Sequence, residues 1–220
     1  MLTRRNGLTT QIVVFVMLLI GIAIGGFKYA QSRYSVHHAL ISGDMPLVKR
    51  QIRNRLEASH HLRMNHNHEQ WGLPLHMATS GSQPEVVAYL IELGADANGE
   101  THDGMTPLFF CRSPEEVRRV ASDQRSHPNP AVGVLLILID AGADVNKPWG
   151  GITPLMWAVQ NQDLPVAEAL IHHGASVNAT DHSFRTALDY ALAIEPPITR
   201  HRMVTLLTKS GGWSGEDYRP

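Results

Sequence analysis

Thr153-Pro154-Leu155-Met156-Trp157-Ala158 is one of four versions of a single stretch in this chain. The other three are Leu73-Pro74-Leu75-His76-Met77-Ala78, Thr106-Pro107-Leu108-Phe109 and Thr186-Ala187-Leu188-Asp189-Tyr190-Ala191. Pro74 and Pro107 are 33 positions apart, and the third and fourth versions have the same spacing. A fixed period of this length predicts a stack of repeated supersecondary units.

A second landmark recurs in phase with the first. The second helix of each unit is expected to end at a glycine that is followed by a short loop, as in Gly94-Ala95-Asp96-Ala97-Asn98, Gly142-Ala143-Asp144-Val145-Asn146 and Gly174-Ala175-Ser176-Val177-Asn178. Glycine suits the left-handed conformation just after a helix. Proline suits the first helical turn, which Thr106 or Thr153 can cap. Each unit is therefore predicted to contain two helices and a hairpin-like loop.

Together these motifs resemble the ankyrin-repeat family over about residues 71–195. The resemblance implies an all-α solenoid of about five helix-turn-helix repeats within residues 36–213. Their approximate bounds are 36–70, 71–103, 104–150, 151–183 and 184–213. Repeat one lacks the Thr-Pro-Leu start, and repeat three carries about fifteen extra residues around 113–130. The resemblance also implies binding of a protein partner by loop tips and first helices.

The N-terminal region has a different composition. Residues 7–27 carry no charge, and a helix of that length reaches about 30 Å, the thickness of a bilayer's hydrocarbon core. We predict a transmembrane signal anchor here, between a tail at 1–6 and a tether at 28–35. A cleaved signal peptide is the alternative, with Ala23-Ile24-Gly25 as a mediocre cleavage site. The expected localisation is single-pass membrane, with the repeat domain in the periplasm if the source is bacterial.

Composition and the absence of catalytic motifs argue against nucleic-acid binding and against enzymatic activity. The formal net charge of −1 provides no basic surface for nucleic acid. The single Cys111 precludes an intramolecular disulfide, and a buried position is expected for it. No nucleophile elbow, phosphate-binding glycine loop or zinc-protease motif is present, so we expect neither an enzyme nor a cofactor. A monomeric repeat domain with a polar tail at 214–220 is predicted.

Candidate partner-binding residues follow from the repeat phase. Trp149, His102 with Asp103, and His182 occupy loop tips, and Gln160 with Asn161 ends the first helix of repeat four. Tryptophan is enriched among binding hot spots. Trp149 could equally fold back over the neighbouring repeat.

The loop before repeat two carries four histidines within ten positions: His60, His61, His66 and His68. Neutral imidazole binds zinc, copper and nickel, although these positions match no fixed zinc spacing. A metal-handling or metal-sensing protein is therefore the alternative function.

The leading hypothesis is a membrane-tethered protein-interaction module that binds its partner through loop tips, first helices and insertions. Bacterial proteins with an anchor followed by ankyrin repeats resemble accessory factors for exported enzymes, including catalases. They also resemble immunity proteins that neutralise a toxin. The sequence does not choose between these two roles.

Overall fold

The computed structural model describes residues 36–53, 62–63, 71–113, 129–195 and 197–215. The chain divides into two compact units, Met1–His38 and Ala39–Pro220. Of the first unit only residues 36–38 are described, and they are helical. All four sequence motifs lie in the second unit.

The described secondary structure is almost entirely helical. In chain order the helices are α1 (residues 36–42), α2 (Met45–Gln51), α3 (Pro74–Ser80), α4 (Pro84–Glu92), a 3-10 helix (Pro107–Phe110), α5 (Pro130–Asp140), α6 (Pro154–Gln160), α7 (Leu164–His172), α8 (Ala187–Leu192) and α9 (Pro197–Lys209). One antiparallel pair of two-residue strands joins Leu62–Arg63 to Trp71–Gly72. The predicted all-α class is therefore correct apart from this short pair.

The helix starts and ends have the predicted chemistry. Proline lies in the first turn of α3, α4, α5 and α6, where the missing N–H group needs no partner. Gly94, Gly142 and Gly174 have φ values of +86°, +87° and +87°, which a residue with a side chain rarely adopts. Thr153 caps α6 by accepting a hydrogen bond from Met156 N at 3.3 Å. The expected side-chain cap at Thr106 is not formed.

The helices stack in two rows. The first helices of successive repeats contact one another in the order α3, 3-10 helix, α6 and α8, which we call the first-helix row. The second helices contact one another in the order α2, α4, α5, α7 and α9, which we call the second-helix row. Apolar side chains lie between the two rows, where Val87, Leu90, Val134, Leu135 and Leu138 are all fully buried. Removing this apolar surface from water is the main stabilising contribution to the stack.

Asparagines tie each repeat to the next. The Asn98 side chain donates to Gly142 O at 2.8 Å and accepts from Asp144 N at 2.7 Å. Asn146 and Asn178 make the same pair of bonds to the loops that follow them. Both polar ends of each amide are thereby satisfied, which fixes the spacing between neighbouring loops.

Repeat three departs from the pattern at its insertion. Its first helix is only the four-residue 3-10 helix, because the backbone becomes extended at Cys111. Ser113 then binds the buried Asp163 carboxylate through its backbone N (2.6 Å) and its hydroxyl (2.7 Å). Asn129, at the other end of the insertion, donates to Ser113 Oγ at 2.7 Å. The two ends of the insertion are thus joined, while residues 114–128 between them lie outside the described residues.

Cys111 is buried, as expected. Burial, together with the charge of Asp163, raises the pKa of its thiol well above the ordinary value. The thiol therefore stays protonated at neutral pH and is unreactive as a nucleophile.

The predicted membrane localisation is wrong. Within the part of the chain that the structure describes, no helix is both long and apolar enough to cross a bilayer. The longest, α9, has 13 residues and reaches only about 20 Å at 1.5 Å per residue, short of the roughly 30 Å required. The predicted anchor itself, residues 7–27, lies outside the described residues.

Candidate protein-interaction surface

Three short hairpins lead into the first helices of repeats three, four and five. We call them finger one (residues 101–105), finger two (148–152) and finger three (181–185). Finger one is closed by a bond from Thr101 N to Met105 O at 2.9 Å. Finger two is closed by two reciprocal bonds between Trp149 and Ile152, each 2.9 Å. Finger three is closed by Asp181 N donating to Arg185 O at 2.9 Å.

Trp149 of finger two folds back over the repeats. Its indole N–H donates to Asp103 O of finger one at 2.7 Å. Its ring meets Phe109 and Trp157 edge to face, at centroid distances of 6.1 and 6.0 Å. Phe109 and Trp157 also contact each other at 6.3 Å. Edge-to-face pairs at this distance are stabilising, so Trp149 contributes to the stack as well as lining the surface.

Aromatic side chains occupy one equivalent position in three successive first helices. Phe110, Trp157 and Tyr190 each stand four residues after the start of their motif, and each is half-buried. Trp157 donates its indole N–H to Phe109 O at 2.9 Å, which links adjacent repeats. These three residues, which we call the aromatic row, place a half-exposed aromatic side chain at the same position of three successive first helices.

The predicted residues of finger one lie beside Trp149. The side chains of His102 and Asp103 are largely exposed, and His102 Nδ1 lies 3.6 Å from an Asp103 carboxylate oxygen. Next to these two fingers, Lys147 Nζ pairs with a Glu100 carboxylate oxygen at 2.7 Å. This hydrogen bond raises the pKa of Lys147, which remains a cation at neutral pH. Fingers one and two therefore form one connected polar rim.

Of the other predicted residues, His182 lies on finger three, whereas Gln160 and Asn161 lie at the end of α6. His182 is exposed, and its ring lies against Gly151, where an added Cβ would come within 2.7 Å of it. Gln160 is exposed at the end of α6, near the Tyr190 hydroxyl. Asn161 donates to Trp157 O at 2.8 Å and so closes the end of its own helix. His182 joins the finger rim, whereas Gln160 borders the aromatic row.

Finger three is organised by one buried carboxylate. Asp181 accepts hydrogen bonds from Ser183 N (2.7 Å), Arg185 N (2.9 Å), Arg185 Nε (2.9 Å) and the Tyr190 hydroxyl (2.6 Å). Burial alone raises the pKa of Asp181, but the bonds from Tyr190, the two backbone N–H groups and the guanidinium outweigh it. Together they lower the pKa to about 2. Asp181 is therefore an anion at any physiological pH and rigidifies the finger.

Sequence reasoning missed Phe184 at the tip of finger three. Its side chain is 68% exposed, and its φ of +61° is left-handed. The equivalent positions in fingers one and two are Gly104 and Gly151, with φ values of +82° and +83°. A bulky residue in this conformation is uncommon and costs on the order of 1–3 kcal/mol. Aligning the three fingers on the threonines that follow them, Thr106, Thr153 and Thr186, would have revealed this exception.

The four histidines proposed as metal ligands lie outside the described residues. Among the residues that the structure does describe, no group of three or more histidine, cysteine, aspartate or glutamate side chains is placed to hold a metal ion. The metal-binding alternative stays a prediction.

The repeats can now be compared with known proteins. The ankyrin-repeat family model matches residues 73–101 and 150–182, which correspond to repeats two and four. The chain contains ankyrin repeats. The first stretch runs from α3 into the start of finger one, and the second runs from finger two to the start of finger three. The two stretches overlap the predicted repeats two (71–103) and four (151–183).

Similar proteins contain such repeats in larger chains. The chain is 27% identical over 180 residues to the B-cell lymphoma 3 protein homolog of Mus musculus, a match that covers 71% of this chain and 40% of that protein. It is 33% identical over 122 residues to neurogenic locus notch homolog protein 1 of Xenopus laevis, covering 54% of this chain and 4% of that protein. Human inversin is 46% identical over 67 residues, covering 30% and 6%. The chain therefore spans less than half the length of each of these relatives.

Proposed function

We propose that this ankyrin-repeat chain binds a protein partner through one continuous surface. The surface consists of the three fingers and the aromatic row of the first helices. The observation that carries the proposal is the aromatic row itself, because three successive repeats keep an aromatic side chain half-exposed at one position. Aromatic residues with polar groups at their edges are typical of binding surfaces.

The edges of this surface can supply specificity. His102, Asp103 and His182 are exposed on the fingers, and Gln160 presents an amide beside the aromatic row. Exposed polar groups around an apolar strip act mainly on the choice of partner, since each mismatched or unpaired group weakens the wrong complex. A binding module also agrees with the expectation that the chain is not an enzyme.

The two roles expected from the sequence differ in what the partner does. An accessory factor would raise or preserve the activity of the enzyme it binds, whereas an immunity protein would abolish the activity of a toxin. Assaying the partner with and without the purified chain separates them. The assay requires no assumption about where in the cell the complex forms.

The test is affinity capture with the full chain, followed by mass spectrometry and reconstitution from purified components. The test variant carries both His102→Glu and His182→Glu, which add two negative charges to the finger rim and leave the buried side chains of the stack unchanged. The control is His201→Glu, an exposed histidine on α9 in the second-helix row. Trp149→Ala is less suitable, because Trp149 also stabilises the repeats.

We expect the finger variant to lose at least tenfold in affinity while the control binds like the wild type. Equal affinity of all three proteins would contradict the proposed surface. Loss in the control alone would place the interface on the second-helix row instead.

A further inference from the structure

Phe184 is an exposed aromatic side chain on a rigid backbone. In the described residues its ring makes no aromatic contact, and 68% of its surface is accessible. Its backbone N donates to Asp181 O at 3.0 Å, and Asp181 in turn holds Ser183 and Arg185 on either side. The tip of finger three is therefore held in place while the side chain stays outside the packing of the stack.

Residues 213–215 bind the start of α8, directly after finger three. Thr186 Oγ1 donates to Trp213 O at 2.8 Å, and Gly215 N donates to Asp189 Oδ2 at 2.8 Å. Ser214 also donates its hydroxyl to the Asp189 carboxylate. Residues 213–215 thus cover the start of α8, and we call them the clasp.

The clasp takes the place of a following finger. In repeat two, His76 Nε2 hydrogen-bonds Met105 O of finger one at 3.0 Å. Asp189 stands at the position equivalent to His76, and its carboxylate accepts hydrogen bonds from the Ser214 hydroxyl and from Gly215 N. The approach is close, because a Cβ on Gly215 would lie 1.9 Å from Phe184 O. Backbone contacts on both sides therefore maintain a left-handed phenylalanine where fingers one and two have glycine.

We propose that Phe184 is the anchor of the interaction surface and inserts its ring into an apolar pocket on a folded protein partner. The inference rests on the proposed function, and it adds that Phe184 contributes more to the binding affinity than any other residue of the surface. A rigid, protruding aromatic ring loses little conformational freedom on binding, which favours it as a hot spot. Glycine at this position would remove the backbone strain, so the ring is retained at the expense of stability.

The chemistry around Phe184 favours a protein pocket over a lipid surface. Insertion into a bilayer interface is strengthened by several apolar side chains and by basic residues beside them. The neighbouring cation, Arg185, already pairs with Asp181 at 2.9 Å. The other members of finger three are the exposed polar residues His182 and Ser183. One ring in this setting matches a pocket that accepts a single phenyl group.

The experiment compares four full-length variants with the wild type. Phe184→Gly removes both the ring and the strain, Phe184→Ala removes the ring and keeps the strain, and Phe184→Leu keeps an apolar side chain. Ile198→Ala is the matched control, since Ile198 is 72% exposed but lies on α9. The probe is the protein recovered with the wild-type chain by capture, produced recombinantly, and affinity is measured by titration calorimetry alongside thermal unfolding.

We expect Phe184→Gly and Phe184→Ala each to lose at least thirtyfold in affinity, with Phe184→Leu less affected and Ile198→Ala unchanged. Phe184→Gly should also unfold at a higher temperature than the wild type. Wild-type affinity in Phe184→Gly, combined with loss in the His102→Glu, His182→Glu variant, would overturn the anchor and leave the proposed function standing. A wild-type chain that captures no protein would overturn both.

A separate outcome would also overturn the inference. Vesicles of phosphatidylcholine and phosphatidylserine should not bind the wild-type chain. Binding that is present in the wild type and absent in Phe184→Gly would assign the ring to a lipid surface.

Discussion

Fingers two and three each contain a turn with positive φ, but different residue types occupy it. Finger two turns through Gly150 and Gly151, both at positive φ, and places its aromatic residue, Trp149, on the stack. Finger three turns through Phe184 at positive φ and leaves its aromatic residue in solvent. The first arrangement stabilises the repeat domain. The second lowers stability and leaves an aromatic ring available, which is the pattern expected where a partner supplies the missing contacts.

The comparison shows that an aromatic residue at a loop tip is not by itself evidence of an interface. Trp149 is attractive from sequence alone, yet its indole N–H and both ring contacts are used within the chain. Phe184 is less conspicuous in the sequence, because phenylalanine normally indicates a core position. The two residues differ in backbone conformation, because Phe184 itself has a positive φ, whereas in finger two the positive φ falls on the glycines after Trp149.

The largest expected effect is at finger two. Trp149→Ala should lower the free energy of unfolding by about 2–4 kcal/mol, somewhat less than for a fully buried tryptophan, because the residue is half-buried. Urea denaturation measures the change, and Trp149→Phe is the control that keeps an aromatic contact. A cost near zero would mean that the ring does not pack on Phe109 and Trp157.

Asp181→Asn tests the carboxylate that organises finger three, and it should cost about 2 kcal/mol at neutral pH. The pKa of Asp181 is about 2 when folded and about 3.8 when unfolded, so its contribution is present above about pH 4 and disappears as pH falls towards 2. Unfolding midpoints at pH 5, 3 and 2 should therefore converge for wild type and variant. A difference that persists undiminished at pH 2 would contradict the assignment.

Gly151→Ala should destabilise the chain by about 1–2 kcal/mol, because alanine is strained at a φ of +83°. Displacement of the His182 ring adds to this cost. Gly133→Ala is the control, since its Cβ would meet no atom within 4 Å and the residue lies inside α5. If the two variants were equally stable, the turn of finger two would not need glycine.

The smallest expected change in the free energy of unfolding is an increase, whereas the other three variants lower it. Phe184→Gly should stabilise the chain by about 1 kcal/mol, since glycine adopts the left-handed conformation without strain. Thermal and urea unfolding give the change, with Phe184→Ala expected within about 0.5 kcal/mol of the wild type as at an exposed site. A destabilised Phe184→Gly would show that the ring supports the fold.

Much of the fold could be predicted from sequence because the repeat chemistry is local. Pro74, Pro154 and the glycines at 94, 142 and 174 mark helix starts and ends wherever they occur. His76, within one of the repeated motifs, links its repeat to finger one by its bond to Met105 O. These features follow from backbone geometry, which is the same in each repeat.

The parts that could not be predicted depend on contacts between repeats. The truncated first helix of repeat three follows from Asp163, fifty residues away, holding Ser113. The orientation of Trp149 follows from a carbonyl on another finger. Neither partner is marked in the local sequence, so the sequence left Trp149 open between an exposed and a folded-back position.

The central claim is that the fingers and the aromatic row form the binding surface, and hydrogen exchange of the reconstituted complex tests it most directly. On partner binding we predict slower exchange in residues 101–105, 148–152 and 181–185 and in α6 and α8. Exchange in α4, α5 and α7 of the second-helix row should be unchanged. Protection confined to the second-helix row, with none on the fingers, would contradict the account.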